Sequence, residues 1–407
     1  MSDMTLSEEL QWRGFINQTT LSDLKKLDEG PRTFYHGFDA SADSQTIGNL
    51  AAMMFDMVFM RHGYKAILLA GGSTSLVGDP GGKDSERPTQ SVETITRNVE
   101  MAKRQLETVF RDQPFTLVNN LDWTKDMKVL DFLRDIGKHF NMSSLIQRDY
   151  IAARLGESGS GISYTEFSYT LLQGLDYLHL FDTYNATLQL GGSDQWGNCL
   201  SGVELIRKTR GEAVDVITLP LIINKATGKK FGKSEGGAVW LDAEKTSVYQ
   251  FYQFWLNADD EGVIDYLKTF TTLNKTEIDQ IAQDQQSDPG ARVAQKRLAH
   301  EVTQIVHGEE RTSGVERVTS VLFGSTDVQE LADEEVDMLA AEIPAFEKGR
   351  TLIDLLVESG NATSNGDAKR LLESGAVSVN GMKVGEDHDI TEFSLIKKGK
   401  NSFILVR

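Results

Sequence analysis

Two segments of this chain combine a buried apolar strand with a Gly-Gly turn, and this combination limits the possible folds most. Residues 64–72 read YKAILLAGG, and residues 186–192 read ATLQLGG and continue into SDQWGN. An apolar run that ends in glycines before a helical pattern is typical of strands in a parallel sheet. Such sheets bind ligands beyond the carboxyl ends of their strands. We therefore expect the functional residues at these turns.

The remaining pattern predicts three kinds of structure along the chain. Further strands at 33–41 and 115–120 and an apolar helix at 47–61 predict a Rossmann-like α/β domain. Residues 245–325 are rich in helix formers without a comparable strand, which predicts an α-helical domain. Residues 350–407 read as two helices followed by short strands, with Asn380-Gly381 as a hairpin turn, which predicts a small α+β domain.

The charge of the chain is unevenly distributed. A net charge of −18 argues against a protein that coats nucleic acid with its whole surface. Nine basic and eight acidic residues follow position 347, so this tail is near +1 and the preceding part carries about −19. The tail therefore remains suited to a local RNA contact.

Cysteine usage and hydropathy indicate a cytoplasmic protein. Cys199 is the single cysteine, and no Cys/His cluster has the spacing of zinc ligands, so we expect no protein-bound metal. No apolar run approaches the roughly 20 residues that a membrane helix needs. Residues 1–15 carry acidic residues and lack a signal-peptide pattern.

Two glycine-rich loops invite a nucleotide-binding interpretation. Residues 70–87 read AGGSTSLVGDPGGKDSER, which is not a Walker A loop because Val77 and Asp84 stand where a glycine and a Ser/Thr are required. Nor does it contain GxGxxG, which disfavours an NAD-type enzyme. Residues 226–242 read ATGKKFGKSEGGAVWLD and predict a mobile basic loop without apolar anchors. Such a loop suits a polyphosphate whose charge grows in a transition state, although a solvated charged loop is the alternative.

Several ordered strings resemble the bacterial-type tyrosyl-tRNA synthetase family over essentially the whole chain. YHGFDASADSQTIGNL at 35–50 resembles the segment with the first class I signature, and KFGKS at 230–234 resembles the second signature. The intervening strings that match in order are GDPGGKDSER, NNLDW, FLRDIGKHF, YTEFSYTLLQGLDYL and GGSDQWGN. Residues 351–381 resemble the S-four-like RNA-binding module of bacterial members.

The resemblance implies a tyrosine–tRNA ligase. The tyrosine carboxylate would attack the α-phosphorus of ATP, giving tyrosyl-adenylate and pyrophosphate, and the 3′-terminal adenosine hydroxyl of tRNA(Tyr) would then attack the adenylate. A carboxylate nucleophile needs no general base, so we expect catalysis by positioning and by cations that bind the departing pyrophosphate. Mg²⁺ would accompany ATP without a dedicated protein cage. The expected partners are L-tyrosine, ATP, tRNA(Tyr) and a second copy of the chain, without a membrane.

The resemblance also implies a tyrosine pocket. Tyr35 and Asp176 would bond the phenolic hydroxyl of the substrate. The α-ammonium group would be held by Tyr169, Gln173 and Asp79. Asn120 and Gln195 would line the pocket. The spacing of Tyr169, Gln173 and Asp176 independently places them on one helical face, although an amphipathic helix with a polar seam explains the same spacing.

A nucleotide site is implied in the same way. Gly37 and Asp39 would lie beside the reacting carboxylate and adenylate, with Ser41 also on the ATP side. Gly192 and Asp194 would meet the ribose, and Gly48 would let the adenine approach. The residues implied for pyrophosphate binding and catalysis are Thr46, Asn49, Lys83, Arg87, Lys230, Lys233 (also an ATP-binding residue) and Ser234.

The chain departs from the family pattern in the first signature. It reads Thr46-Ile47-Gly48-Asn49, where the usual form is His-Ile-Gly-His. His36 replaces a common cysteine, and Ala52 replaces a frequent threonine. These changes affect the expected rate of activation more than the recognition of tyrosine. We hypothesise that the Thr46 hydroxyl contacts pyrophosphate oxygens in the transition state only.

The resemblance implies these domain bounds. Residues 1–222 form the catalytic domain with an inserted dimer-interface segment at about 120–160, and 223–244 form the mobile signature loop. Residues 245–325 form an α-helical domain on the anticodon side, 326–346 a linker, and 347–407 the S-four-like RNA-binding domain, in which Lys369, Arg370 and Lys383 would contact tRNA.

Two other readings stay open at this point. A tryptophanyl-tRNA synthetase shares the catalytic fold, although Tyr35, Asp176 and the appended tail favour tyrosine. A non-catalytic RNA-binding paralogue is suggested by Thr46 and Asn49, although such a protein would not need the lysine loop and the tyrosine pocket.

Overall fold

The computed structural model describes residues 4–78, 90–155, 161–225, 227–228, 231–234, 237–324 and 326–407, and only the backbone of 149, 150, 153, 233 and 234. Within these residues the chain forms two compact units. The first unit comprises the residues up to Thr246 together with Phe254–Val306. The second unit comprises Ser247–Gln253 together with His307–Arg407.

The α-helices in this part of the chain are α1 (Leu6–Arg13), α2 (Ile47–Arg61), α3 (Gly72–Val77), α4 (Val92–Val109), α5 (Leu121–Thr124), α6 (Val129–Asp131), α7 (Met142–Ile146), α8 (Asp149–Leu155), α9 (Tyr164–Tyr184), α10 (Trp196–Arg210), α11 (Val248–Leu256), α12 (Val263–Phe270), α13 (Lys275–Ser287), α14 (Val293–His307), α15 (Glu309–Phe323), α16 (Asp333–Glu342), α17 (Leu352–Glu358) and α18 (Asn365–Glu373). Short 3₁₀ segments lie at Leu24–Glu29, Gly137–His139, Ser193–Gln195, Pro289–Ala291 and Val328–Glu330, and a π-helical turn lies at Phe132–Ile136.

The strands are β1 (Gln18–Thr19), β2 (Thr33–Asp39), β3 (Lys65–Gly71), β4 (Phe115–Asn119), β5 (Ala186–Gly192), β6 (Asp215–Leu219), β7 (Lys233–Ser234), β8 (Gly237–Ala238), β9 (Ala345–Phe346), β10 (Arg350–Thr351), β11 (Val377–Val379), β12 (Met382–Lys383), β13 (Asp389–Ile390), β14 (Ser394–Lys398) and β15 (Ser402–Val406).

A six-stranded sheet forms the centre of the first unit, with strand order β1-β6-β5-β2-β3-β4. Strands β2 to β6 are parallel, and β1 pairs antiparallel with β6. From β2 the chain continues outward through β3 and β4 and then returns to β5 on the other side of β2. The strand order therefore reverses between β2 and β5, where a parallel sheet offers a crevice for ligands.

Helix α2 covers one face of this sheet because it is apolar almost all round. Phe55 and Phe59 are fully buried, and the ring of Phe59 packs 5.6 Å from that of Phe34 in β2. Asp56 is the single acidic residue in the helix, and it is 0% exposed. The helix begins after Thr46, so its N-terminus lies near the carboxyl end of β2.

Helices α9 and α10 pack against each other at close range because one of the residues between them is a glycine. A Cβ atom at Gly202 would lie 2.6 Å from the Cβ atom of Tyr177, so any larger residue would push the helices apart. The Tyr177 hydroxyl donates to the Asp215 carbonyl oxygen at 2.8 Å, which ties α9 to β6. This packing fixes the face of α9 that carries Asp176.

The second unit has its own sheet and core. Its five-stranded sheet has the order β12-β11-β14-β15-β9, and β10 pairs separately with β13. One apolar cluster joins Leu352, Leu372 and Ile404, and another joins Leu339 and Phe403. Asn380 and Gly381 turn the chain between β11 and β12 with φ of 46° and 79°, the left-handed values that a tight hairpin requires.

The predicted fold class is confirmed: a parallel-sheet α/β region, a helical region and a small C-terminal region with its own sheet. Strand β6 was not predicted, and residues 326–346 carry α16 and β9 as well as a connecting segment. The domain bounds stay a prediction. Among the described residues no helix is both long and apolar enough to cross a membrane.

Candidate active site

A cavity of about 670 Å³ opens where the strand order reverses. It follows β2 from Tyr35 to Asp39 and is closed by the start of α2, the end of β5 and one face of α9. The predicted site residues that line it are Tyr35, Gly37, Asp39, Thr46, Gly48, Asn49, Tyr169, Gln173, Asp176, Gly192, Asp194 and Gln195. The fold therefore brings residues of four separate elements to one site.

The other predicted site residues are not among those that line the cavity. Asn120 is 0% exposed and lies behind Asp176, and Ser41 lies beside Asp39. Asp79, Lys83, Arg87 and Lys230 fall outside the described residues. The backbone of Lys233 and Ser234 forms β7, and their side chains fall outside the description as well.

Tyr35 presents an unsatisfied hydroxyl inside the protein. The residue is 2% exposed, and within the described part of the chain its Oη atom has no hydrogen-bond partner. Burial raises the pKa of this hydroxyl well above its ordinary value, so it remains protonated. A buried polar group without a partner costs free energy unless a ligand supplies one.

Asp176 is a buried carboxyl group that two side chains hold in place. Its Oδ2 accepts from Asn120 Nδ2 and its Oδ1 from Trp123 Nε1, both at 2.9 Å. Burial raises the pKa of Asp176 to about 7, although these two hydrogen bonds act in the opposite direction. Asn120 is itself fixed, since its Oδ1 accepts from the backbone N–H of Ser73 at 2.7 Å.

Gln189 is a cavity residue that the sequence pattern did not single out. It pairs with Tyr35 across β2 and β5 and is 2% exposed. Its Oε1 atom, like the Tyr35 hydroxyl, has no hydrogen-bond partner among the described residues. Two neighbouring buried groups, one able to donate and one able to accept, thus face a cavity that also contains the Asp176 carboxyl group.

Asp39 ends β2 and is oriented by two serines. Its Oδ1 accepts from the Ser41 backbone N–H and from Ser75 Oγ, each at 2.9 Å, and its Oδ2 accepts from Ser41 Oγ at 2.9 Å. Ser41 therefore positions Asp39. Asp194 at the other side of the cavity accepts from Gln195 Nε2 at 3.3 Å, and Gln195 Oε1 in turn accepts from Asn198 Nδ2 at 3.1 Å.

The two polar residues of the first signature are bonded to each other. The backbone N–H and the hydroxyl of Thr46 both donate to Asn49 Oδ1, at 3.0 and 2.8 Å. This arrangement satisfies the backbone N–H of Thr46, the N-cap residue of α2. The Thr46 hydroxyl must leave Asn49 before it can donate to a phosphate oxygen.

The segment around β7 and β8 lies directly against this helix start. The Ile47 backbone N–H donates to the Val239 carbonyl oxygen at 3.1 Å, and Thr46 bridges to Trp240. Gly232 has a φ of +103°, and a Cβ atom there would lie 3.0 Å from Ile47 Cγ1. Glycine is therefore required where the loop passes the first signature.

The prediction that the basic loop has no apolar anchor is wrong. Phe231 is buried and packs against Phe254, Trp255, Tyr266 and Phe270, with ring centroids 4.3 to 5.6 Å away. The sequence pattern conceals this anchor because a single phenylalanine among lysines and glycines shows no apolar periodicity. Val239 and Leu241, later in the same segment, are also buried.

The described residues that line the cavity carry acidic groups and no lysine or arginine. Asp39, Asp176 and Asp194 contribute carboxyl groups, whereas none of the described lining residues is a lysine or an arginine. His36 is the single histidine in that lining. Among the described residues no cluster of three or more histidine, cysteine or acidic side chains could hold a metal ion.

The sequence pattern also missed Trp123, Ser75 and the His36–Asp56 pair. Trp123 and Ser75 lie within strings that were recognised, NNLDW and AGGSTSL, but nothing in those strings shows which side chain turns towards a carboxylate. For His36 a signal was available: side chains alternate along β2, so His36 had to lie on the face of the sheet opposite to Tyr35.

Comparison with known proteins identifies the class of enzyme to which the chain belongs. Residues 27–324 match the family model of class I tRNA synthetases (W and Y). The structure resembles a C-terminally truncated mitochondrial tyrosyl-tRNA synthetase of Aspergillus nidulans, with a TM-score of 0.71, 29% identity, and coverage of 78% of this chain and 94% of that one. A tryptophanyl-tRNA synthetase from Encephalitozoon cuniculi shares the fold with a TM-score of 0.55, at 11% identity and coverage of 82% of this chain and 92% of that one.

The relatives narrow this class to one family. Residues 330–406 match the tyrosine–tRNA ligase SYY-like C-terminal domain. The tyrosine–tRNA ligase of Geobacillus kaustophilus is 44% identical over 99% of this chain and 100% of its own length. That of Listeria monocytogenes serotype 4a is 42% identical over 99% of both chains. The chain therefore belongs to the tyrosine–tRNA ligases, a family of class I aminoacyl-tRNA synthetases, and the predicted family and enzyme class are confirmed.

Replacement of Trp123 by phenylalanine tests how the Asp176 carboxyl group is tuned. Trp123→Phe removes the Nε1–H donor and keeps a ring that can stack on His179, against which the indole lies at 4.3 Å. A donor to the ionised form lowers a carboxyl pKa, so its loss should move the pKa of Asp176 upward from about 7. An infrared titration of the carboxyl band, assigned by difference against Asp176→Asn, measures this shift. An unchanged or lower titration point contradicts the assigned role of Trp123.

Proposed function

We propose that this chain activates L-tyrosine with ATP, accompanied by Mg²⁺ as part of the substrate, and transfers the tyrosyl group to the 3′ end of tRNA(Tyr). The family assignment supports the overall reaction. One observation carries the choice of amino acid: the buried hydroxyl of Tyr35, which has no hydrogen-bond partner among the described residues, shares a cavity with the carboxyl group of Asp176. A ligand phenol would satisfy both groups.

The phenol would be recognised through hydrogen bonds to buried polar groups. The substrate hydroxyl would donate to Asp176 and accept from Tyr35, with Gln189 Oε1 as a further nearby acceptor. When phenylalanine occupies the same cavity, these groups stay unpaired and the cost of burial remains. Tyrosyl-tRNA synthetases are themselves the known example of this discrimination, which needs no editing domain.

The other groups of the amino acid follow from the direction of the cavity. With the phenol at Tyr35, the substrate backbone points along β2 towards Gly37 and Asp39. Tyr169, Gln173 and Asp176 follow one another at intervals of about one turn of α9, on the face that lines the cavity. They suit the α-ammonium group, together with Asp79 and Gln195 as predicted partners.

Activation then joins two bound substrates. The tyrosine carboxylate attacks the α-phosphorus of ATP, a P–O bond forms, and the bond to pyrophosphate breaks. The nucleotide would lie against Gly48 and Gly192, where the absence of side chains leaves room, with Asp194 on the ribose. Thr46, Asn49, Lys83, Arg87, Lys230, Lys233 and Ser234 are the proposed partners of the departing pyrophosphate.

We assign tRNA binding to the C-terminal region and to the helical region. Lys369 and Arg370 are exposed on α18, and Lys383 is exposed on β12. Three cations on neighbouring surface elements suit the phosphates of a folded RNA. The bacterial origin of the relatives supports a cytoplasmic location for this reaction.

We further propose that the chain acts as a homodimer through the segment at about 120–160. Val129, Leu130 and Leu133 are 73%, 77% and 45% exposed there. Neighbouring apolar side chains of this size rarely face water on a monomer. Met142 and Ile146, also exposed, extend the same segment.

Amino-acid-dependent ATP–pyrophosphate exchange tests the proposed activation. We expect exchange with tyrosine and far less with phenylalanine or tryptophan. Tyr35→Phe should lower kcat/KM for tyrosine roughly three- to tenfold, the worth of one neutral hydrogen bond, and should raise kcat/KM for phenylalanine, because the hydroxyl that stays unpaired is then gone. Absence of tyrosine-dependent exchange by the folded wild-type protein would favour a non-catalytic RNA-binding paralogue.

Substitution of Thr46 tests the altered first signature. Thr46→Ala removes the hydroxyl, and loss of a donor that acts in the transition state should lower the exchange rate by about 10²–10³. Thr46→Ser, which keeps the hydroxyl, is the matched control and should retain most of the rate. Equal rates for both variants and the wild type, at unchanged tyrosine affinity, would rule out contact with pyrophosphate.

A charge at Leu130 tests the dimer. Leu130→Lys places an ammonium group where the proposed interface excludes water and should shift the protein from dimer to monomer in sedimentation equilibrium. Met382→Lys, at a residue 74% exposed outside this segment, is the control and should leave the mass unchanged. A dimer of undiminished affinity in Leu130→Lys would place the interface elsewhere.

A further inference from the structure

Three polar side chains, Arg148, Thr170 and Asn198, form a relay that leads to the cavity and that the reaction as described does not use. Arg148, between α7 and α8, donates through Nη1 to Thr170 Oγ1 of α9 at 3.4 Å. The Thr170 hydroxyl donates to Asn198 Oδ1 of α10 at 2.7 Å, and Asn198 Nδ2 donates to Gln195 Oε1 at 3.1 Å. Each member thus donates to the next, and the last acceptor, Gln195, lines the cavity.

Stability alone does not explain the middle of this relay. Thr170 is 0% exposed and Asn198 is 2% exposed. A buried hydrogen bond returns little beyond the cost of removing its groups from water, and an apolar pair of the same shape can be nearly as stable. The neighbouring side chains Phe167 and Leu171 of α9 are buried and apolar, so an apolar residue would also suit position 170.

The first member of the relay is held by further contacts. Arg148 Nη2 donates to Ser201 Oγ of α10 at 2.8 Å. Six residues later, Arg154 forms a buried ion pair with Glu166 at the start of α9, through two bonds of 2.6 and 3.0 Å. The stretch before α9 is therefore bound to α9 at two places and to α10 at one.

At its other end the relay determines how the Gln195 amide is turned. Gln195 precedes α10 as its N-cap residue, and its side chain makes no capping bond there. Its Oε1 accepts from Asn198 instead, and its Nε2 donates to Asp194 Oδ2 at 3.3 Å. An amide offers an acceptor on one side and donors on the other, so its rotation decides what a ligand meets. Because the Thr170 hydroxyl binds the oxygen of Asn198, the nitrogen of Asn198 is the atom that faces Gln195.

We propose that Thr170 and Asn198, supported by Arg148, are positioning residues that hold the Gln195 amide in one orientation for the bound tyrosine. None of the three lines the cavity, so they act through Gln195 and not on the substrate. A group that is oriented before the substrate arrives needs no binding energy to turn it. The inference rests on the proposed activation of tyrosine, in which Gln195 is a predicted partner of the amino acid.

The test compares pyrophosphate exchange by the full-length wild type with Thr170→Val, Thr170→Ser and Arg148→Met, with tyrosine and ATP varied in turn. Valine has nearly the shape of threonine and removes the hydroxyl, whereas serine keeps the hydroxyl and is the matched variant. Thr312→Val is a second control. Thr312 is also 0% exposed, but its hydroxyl donates to the Gly308 carbonyl oxygen at 2.8 Å within its own helical turn.

We expect Thr170→Val to lower kcat/KM for tyrosine roughly three- to tenfold, the effect of one neutral hydrogen bond, with KM for ATP unchanged. Thr170→Ser should retain most of the wild-type value. Arg148→Met should act in the same direction but less, because its bond to Thr170 is the longest of the relay. Thr312→Val should leave exchange unchanged, although it removes a buried hydrogen bond as well.

A double-mutant cycle tests whether Thr170 acts through Gln195. Gln195→Ala removes the amide that the relay orients and should itself lower kcat/KM for tyrosine. Thr170→Val should then cause no further loss in the Gln195→Ala background. Substitutions that act independently would instead multiply their effects.

The proposal is overturned by an unchanged kcat/KM in Thr170→Val, by effects that multiply in the cycle, or by a Gln195→Ala variant as active as the wild type. An equal loss in Thr312→Val, or an equal rise of KM for ATP in Thr170→Val, indicates general loosening and also overturns it. Should Thr170→Val fail to fold in thermal melting, Arg148→Met, alone and with Gln195→Ala, decides the question. Failure of the proposed function looks different, since the wild type would then show no tyrosine-dependent exchange at all.

Discussion

The pairing of β2 with β5 is the constraint on which the site depends. These strands belong to opposite halves of a sheet whose order reverses between them, and their register sets Tyr35 opposite Gln189. The two side chains leave one hydroxyl and one amide oxygen buried without partners among the described residues. The centre of the sheet therefore holds one donor and one acceptor that a bound ligand would have to satisfy.

The carboxyl groups of the site are each held in place by neighbouring side chains. Asn120 and Trp123 hold Asp176, and Ser41 and Ser75 hold Asp39. Such second partners fix the direction of a carboxylate before the substrate arrives, so binding energy is not used to orient it. The alternation of β2 turns Tyr35 towards Tyr177 of α9 and His36 towards Asp56 of α2.

The sequence was sufficient for the architecture, and its family resemblance implied twelve of the residues that line the cavity. Apolar strands that end in glycines predicted β3 and β5, and the helix at 47–61 was placed at its observed bounds. Strand β6 was missed, because DVITL is a short run without a glycine turn. Side chains that act on other side chains, such as Trp123 and Asp56, could not be predicted, since their partners are distant in sequence and only packing brings them together.

The aromatic contacts of Phe231 have a consequence for how the enzyme works as a whole. Within KFGKS, the ring of Phe231 packs among Trp255 of α11 and Tyr266 and Phe270 of α12. At the next residue, Gly232, the same stretch passes the start of α2 so closely that an added Cβ atom would lie 3.0 Å from Ile47 Cγ1. Helix α12 and the start of α2 therefore meet two adjacent residues of one stretch, so a substitution that alters the packing of α12 acts directly on the backbone that passes the first signature.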